Sequence, residues 1–269
     1  MKGIVKPVFA DPAKHLYRLF TEPNYFTYNR LYSNLKYYQR YQECQVRIDD
    51  CDFLIPDAAS FLSAYKEIFL EQIYKFKTDV ATPKILDLGA NIGLSVLFFK
   101  SLYPKAEITA LEADPKIFDY LTRNVNQSYP DVKLIEAAIW HENTTLNFVS
   151  EGADSGQIAK SNNSIEVKAI DIAGLLEEQQ FDFIKMDVEG AEEYVLPRCR
   201  GLLDSVQYLF IEYHSRINCK QKLDRILSIL AQENFRVYLQ NNWQQPTPFL
   251  GLSSYMGFDF QTNIYAWKE

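Results

Sequence analysis

Acidic side chains recur at the ends of short apolar runs in this chain of 269 residues, and each is followed by turn-forming residues. The first run, Lys84-Ile-Leu-Asp-Leu-Gly-Ala-Asn-Ile-Gly93, reads as a buried strand built on Ile85, Leu86 and Leu88, ending at Asp87 and a tight turn. Gly89 and Gly93 let the backbone bend sharply and come close to a ligand, because a Cβ at either place would obstruct the approach. Asn91 stands where a dinucleotide fingerprint has its middle glycine, the residue that makes room for a pyrophosphate. The spacing therefore favours a nucleoside ligand without a pyrophosphate. Further on, Ala106-Glu-Ile-Thr-Ala-Leu-Glu112 reads as a second strand ending in an acid, placed to accept from both hydroxyls of a ribose. Taken alone, Glu112 reads better as an ordinary acid at a strand-to-helix turn. Asp114 is the expected cap, and Pro115 the first residue, of the helix that follows.

A second constellation lies in Phe181-Asp-Phe-Ile-Lys-Met-Asp187 and the Val-Glu-Gly-Ala-Glu-Glu193 that turns from it into a helix. Ligands of an open α/β sheet bind outside the carboxyl ends of its strands, so Asp187 should border the same crevice as Asp87 and Glu112. Two acids, Asp187 and Glu189, with Lys185 close by exceed what capping requires and read as chemical groups. Glu192 and Glu193 read as structural, since carboxylates in a first helical turn complement the helix dipole. In Leu209-Phe-Ile-Glu-Tyr-His-Ser215, Glu212 and His214 project to one side if the strand geometry persists. His214 then has two readings, a general base beside an acid or a loop histidine capping the next helix. His15 and His141 lack comparable company.

The acid-Gly-x-x-x-Gly turn, the acid at the next strand end and the strand-helix alternation resemble the S-adenosylmethionine site of Rossmann-like methyltransferases. More closely, Ile-Leu-Asp-Leu-Gly-Ala-Asn-Ile-Gly (85–93), Leu-Glu-Ala-Asp-Pro (111–115), Phe-Ile-Lys-Met-Asp-Val-Glu-Gly-Ala-Glu (183–192) and Ile-Glu-Tyr-His (211–214) resemble the FkbM family of S-adenosylmethionine-dependent methyltransferases. The similarity covers residues 83–215, and the segment ending in Pro56-Asp57 is similar to that family's entry segment. Leu-Glu-Ala at 111–113 departs from the family's Phe-Glu-Pro. The resemblance implies an α/β, Rossmann-like class I methyltransferase fold, with a mostly parallel seven-stranded sheet and an antiparallel C-terminal strand. It also implies S-adenosyl-L-methionine as cofactor and O-methylation of a hydroxyl on a small-molecule or glycosidic acceptor such as a sugar, polyketide or lipid-linked glycan.

Carried onto this chain, the cofactor-binding residues are Asp87, Gly89, Ala90, Asn91, Gly93, Glu112, Ala113, Ala137 and Asp187, with adenine expected near Glu136, Ala137 and Ala138. His214 is the first expected base because its ordinary pKa lies near neutral, followed by Asp187 and Glu189. Carboxylates suit a hard divalent cation, but no metal is assigned. The rival from another class is a non-catalytic S-adenosylmethionine or nucleotide sensor whose N-terminal region binds a protein. The second rival, an NAD-dependent oxidoreductase, is disfavoured by the glycine spacing.

The elements that must position these groups fall into two segments. Residues 1–80 read as a helical extension with a hairpin, acting as a cap or an interface, and 81–269 as the Rossmann-like domain. A helical pattern from Asp11-Pro12 is interrupted at Pro23-Asn24, and a second helix is expected over 25–42 with Tyr28, Leu31, Leu35 and Tyr38 on one stripe. A hairpin over Val46–Pro56 turns at Asp49-Asp50, and a further helix is expected over 60–76. The many tyrosines read as packing onto the main domain or, more sharply, as a cap over the acceptor pocket or a homodimer face. Strands are expected at 84–88, 107–112, 132–138, 181–187, 206–212 and 234–240, with helices after all but the third and the last. The third leads to paired extra strands at 145–149 and 165–170 around Gly/Ser-rich segments at 151–157 and 161–164 that could act as a lid. Residues 257–267 are expected to close the sheet as an antiparallel strand.

Composition limits the partners. With 28 basic and 35 acidic residues the net charge is −7 and no Lys/Arg cluster stands out, which argues against nucleic acid. Cys44, Cys51, Cys199 and Cys219 lack zinc or C-x-x-C spacing and read as reduced thiols, with Cys44 and Cys51 able to face each other across the hairpin. No apolar run approaches the length of a membrane span and the N-terminus has no signal-like core, so a cytoplasmic protein is expected.

Overall fold

The computed structural model describes residues 12–48, 51–150, 156–158, 164–241, 245, 247–254 and 257–269. Helices α1 (Pro12–Thr21) and α2 (Pro23–Leu35) each open on a proline, whose missing N–H is not needed in a first turn. Helix α2 stops seven residues short of the expected Gln42. Leu35 is its last buried side chain, and Tyr37, Tyr38 and Tyr41 beyond it are exposed. The buried Asp57 carboxylate instead takes the Tyr41 amide (2.7 Å) and the Arg40 guanidinium (2.8 Å), pinning that segment as a turn.

Strands β1 (Cys44–Ile48) and β2 (Cys51–Ile55) pair antiparallel, and the expected turn at Asp49-Asp50 lies outside the described residues. Cys44 lies opposite Ile55 and Cys51 opposite Ile48, so the two cysteines do not face each other. The register that pairs strand ends across a short turn separates them by the length of the hairpin. All four cysteines are free thiols. Helix α3 (Ala58–Tyr65), capped by Asp57 through the Ser60 amide, runs into one wider π-helical turn at Lys66–Leu70 and ends there rather than at Phe76. Beyond it the apolar side chains wedge onto the sheet without a helix. Tyr74 lies edge-on to Phe210 at 4.9 Å between ring centres, and Phe76 stacks on Phe183 at 4.7 Å.

The main body alternates as expected: β3 (Lys84–Leu88), α4 (Leu94–Leu102), β4 (Glu107–Glu112), α5 (Pro115–Asn126) and β5 (Lys133–Glu136). An excursion follows through β6 (Ala138–Trp140), β7 (Thr144–Ser150), β8 (Gly156–Ile158) and β9 (Ile165–Asp171). Then come α6 (Ile172–Glu178), β10 (Phe183–Met186), α7 (Glu192–Val195), β11 (Tyr208–Arg216), α8 (Leu223–Gln232), β12 (Arg236–Asn241) and β13 (Phe258–Trp267). The seven-stranded sheet has the order β12-β13-β11-β10-β3-β4-β5, parallel from β11 to β5, with β13 antiparallel to both its neighbours. This is the Rossmann-like arrangement the resemblance implies.

The expected third strand is two strands. β5 joins the main sheet, whereas β6 leaves for a four-stranded sheet ordered β6-β9-β7-β8, the break falling at Ala137, whose amide donates to the Glu112 carbonyl at 3.0 Å. Strands β7 and β9 pair with each other as anticipated, and do so antiparallel, while residues 151–155 and 161–163 of the suggested lid lie outside the described residues. Helix α6 was not anticipated.

Side chains of the parallel strands alternate between two buried layers. Ile85, Ile108, Phe183 and Phe210 pack with α4, α5 and the N-terminal elements, whereas Leu86, Leu88, Leu111, Ile184 and Ile211 pack with α6, α7 and α8. No helix among the described residues is long and apolar enough to cross a membrane.

Candidate active site

The carboxyl ends of β3, β4 and β10 meet at one place. The amides of Gly89 and Ala90 both donate to the Leu111 carbonyl (3.0 and 2.8 Å), and the Asp187 amide donates to the Leu88 carbonyl (3.1 Å). Gly89 has φ +82°, and a Cβ there would lie 1.9 Å from the Asp187 carbonyl oxygen. Gly93 has φ +96° where α4 begins, and its Cβ would press on Val125 and Leu121 of α5. The expected reason for these glycines was the approach of a ligand; in the structure, close contact of protein with protein already requires them.

Asp87 is fully buried, with Oδ2 accepting from the Ser95 hydroxyl at 2.5 Å and Oδ1 standing 3.3 Å from Lys185 Nζ. Lys185 donates to the Gly89 carbonyl (2.7 Å), lies 3.6 Å from Asp187 Oδ2 and sits over the Tyr74 ring at 5.7 Å. Burial alone would lower its pKa, but Asp87 and Asp187 outweigh that and hold the ammonium charged. Glu112 accepts from the Asn91 amide (3.0 Å) and the Asp114 amide (2.9 Å). Removal from water pushes its carboxyl up to about 7 against those amide donors. Ala90 and Ala137 are buried beside this strand end, and Ala113 is partly buried. Asp87, Gly89, Ala90, Asn91, Gly93, Glu112, Ala113, Ala137 and Asp187 therefore gather along one rim.

Strand β11 keeps its geometry through Arg216, which rules out the reading of His214 as a loop cap and puts Glu212 and His214 on one face. His214 Nδ1 lies 3.2 Å from Glu192 Oε1 and Nε2 lies 3.5 Å from Glu189 Oε2. Burial would lower the histidine pKa, yet Glu189, Glu192 and Glu212 raise it well above the ordinary value. The surrounding carboxylates thus favour the protonated ring. Glu212 is raised well above the carboxylate range by burial and by Asp187, with the Gln261 side chain of β13 donating to it. Asp187, Glu212 and His214 each present a ligating atom within 4.8 Å of the others.

Glu192 keeps the structural part expected of it but with a further partner, and Tyr74 was missed. Glu192 is fully buried and accepts from the amides of Val188 (3.3 Å) and Gly190 (3.1 Å) while facing His214, so it braces the Glu189-Gly190 turn (φ +52° and +91°) and orients the ring. Its place in Lys-x-Asp-x-Glu-Gly-x-Glu was the available signal. Tyr74 comes from the N-terminal segment, and burial together with the charges of Asp187, Glu212 and Asp87 keeps its phenol protonated. Nothing in its sequence neighbourhood marks it.

Fold and site define a class: a Rossmann-like α/β domain whose acid-bearing strand ends meet beside a carboxylate and histidine cluster. A model described as the methyltransferase FkbM domain matches residues 87–237, more than half of the chain. The chain belongs to this family. S-adenosylmethionine is the methyl donor of the class. The chain is similar to methyltransferase sdnD of Sordaria araneosa, 33% identical over 132 residues that cover 46% of this chain and 51% of that protein. It is also similar to the 2-O-methyltransferase NoeI of Sinorhizobium fredii, 29% identical over 49% of this chain and 63% of that protein. Hexuronic acid methyltransferase AglP of Haloferax volcanii is 27% identical over 50% of this chain and 57% of that protein. The chain thus spans between half and two thirds of the length of these relatives.

Proposed function

We propose that this protein transfers a methyl group from S-adenosylmethionine to a hydroxyl of a small-molecule or glycosidic acceptor. The observation that carries the reading is the meeting of the Gly89 turn, Glu112 and Asp187 with the Glu189–His214 pair at one end of the parallel strands. The donor set suits this cofactor, because a cationic, hydroxyl-bearing nucleoside wants acceptors and the rim is rich in carboxylates. Asp87 Oδ1 is buried without a hydrogen-bond donor, its charge met by Lys185 alone. When bound, the cofactor supplies a methyl group on a positively charged sulfur.

The chain's own residues then divide the work. Asp87 and the turn from Gly89 to Gly93 would hold the amino-acid end, Glu112 would accept from ribose hydroxyls, and Ala113 and Ala137 would border the adenine. Glu189 would take the proton that the acceptor oxygen loses as it is methylated. His214, charged and held by Glu192, positions that carboxylate, so the base role expected for the histidine moves to its partner. Alignment matters more than charge stabilisation, and in-line positioning is worth about 7–11 kcal/mol in effective molarity. The name of NoeI, a 2-O-methyltransferase, supports oxygen as the acceptor atom, and that of AglP, a hexuronic acid methyltransferase, supports a sugar-type acceptor.

The test combines binding and turnover. S-adenosylhomocysteine should raise the melting temperature of the wild-type chain, since a ligand bound only to the folded form stabilises it. Glu189→Gln should keep that shift while lowering methyl transfer to a sugar acceptor about 10²- to 10⁴-fold. No shift with S-adenosylhomocysteine in the wild type would end the reading.

A further inference from the structure

The three residues whose ligating atoms converge within 4.8 Å, Asp187, Glu212 and His214, come from the ends of adjacent parallel strands, β10 and β11. A carboxylate pair with one imidazole is a donor set for a divalent cation of intermediate hardness. The histidine is backed as metal-bound histidines commonly are. The fully buried Glu192 faces Nδ1 and leaves Nε2 on the side of Glu189. Glu192 Oε2 is itself buried with no hydrogen-bond donor, so this brace is a carboxylate enclosed by protein beside a cluster already rich in acids. Asp87, Asp187, Glu189, Glu192 and Glu212 crowd the region, while Lys185 is committed to Asp87 and the Gly89 carbonyl.

Building on the methyltransferase reading above, we propose that Asp187, Glu212 and His214 form a binding site for a divalent cation of the Mn²⁺ type, to which the acceptor coordinates through its hydroxyl oxygens. Three protein ligands leave positions open for oxygen. A hydroxyl bound there loses its proton to Glu189 more readily, because the cation stabilises the alkoxide. Two adjacent oxygens can occupy two such positions together, which selects acceptors carrying a vicinal diol, as sugars do.

The experiment uses the full chain and Mn²⁺ alone, with no methyl donor present. Electron paramagnetic resonance of free Mn²⁺ should report one bound ion per chain, and pulsed measurements on the bound ion should show nitrogen coupling from one imidazole. Glu212→Gln should weaken binding at least about tenfold, while the shift in melting temperature with S-adenosylhomocysteine persists and shows the variant to be folded. Absence of binding at millimolar Mn²⁺, or bound Mn²⁺ without nitrogen coupling, overturns the proposal, and this wild-type result decides even if the variant fails to fold. If S-adenosylhomocysteine binds and Mn²⁺ does not, only the cation site is lost; if neither binds, the methyltransferase reading fails with it.

Discussion

Glu112 carries two backbone amide donors and still has its carboxyl pushed up to about 7, because the protein around it removes water. Its folded pKa lies above the ordinary 4.5, so folding favours the protonated form. The stability this group contributes is therefore fully present below about pH 4.5 and is lost as pH rises to about 7. Glu112→Gln, which has no proton to lose, should remove that slope. Urea denaturation of both proteins at pH 4.5, 6 and 8 checks this, and parallel pH profiles would contradict the assignment. At this scale the places of Asp87, Glu112 and Asp187 at neighbouring strand ends were legible, because each stands where an apolar run stops. The sequence was illegible where a role depends on who stands opposite. Glu192 looks like any acid in a first helical turn until β11 brings His214 to 3.2 Å from it, and Tyr74 becomes part of the site only by packing against strands far along the chain.

Among elements, one side chain joins the hairpin to the glycine turn. Asn124 of α5 accepts from the Leu54 amide (2.7 Å) and donates to the carbonyls of Leu54 and Ile92 (2.9 Å each), and it is buried. Asn124→Ala should cost about 3 kcal/mol in urea denaturation, since backbone groups would be left buried without partners. A cost within error of zero would show that water replaces those bonds. Strand periodicity revealed nearly every strand, because residues buried on both faces form apolar runs that stop abruptly at turns. Ends governed by distant partners were not visible: α2 ends where Asp57 captures Tyr41, α3 ends in a π-helical turn, and β5 breaks from β6 beside Glu112.

For the molecule as a whole, the N-terminal segment and the sheet share one buried layer. Tyr65 stacks on Phe69, Phe69 meets Phe98 edge-on, Tyr74 packs on Phe99 and Phe210, and Phe76 packs on Phe183. Exposing large side chains of this kind costs about 1.5–3 kcal/mol each, and several together rival the net stability of a domain. The full chain should unfold in a single transition by circular dichroism and fluorescence, and a chain starting at residue 81 should show none. A cooperative transition in the shorter chain would mark residues 1–80 as a separable appendage. The start of strand-helix alternation at Pro83 was legible, and packing of the N-terminal segment onto the main domain was among the expected readings; which apolar faces meet was not, since composition does not tell.

Strand β13 is inserted between β11 and β12 although both are made before it on the ribosome. Until β13 has been made, the edge of β11 that it covers therefore has no strand beside it, and Gln261 is not yet there to reach Glu212. A stop codon ahead of Phe258 would leave that edge open and inviting aggregation, so truncated products of this message should be cleared rather than accumulate as half-active enzyme.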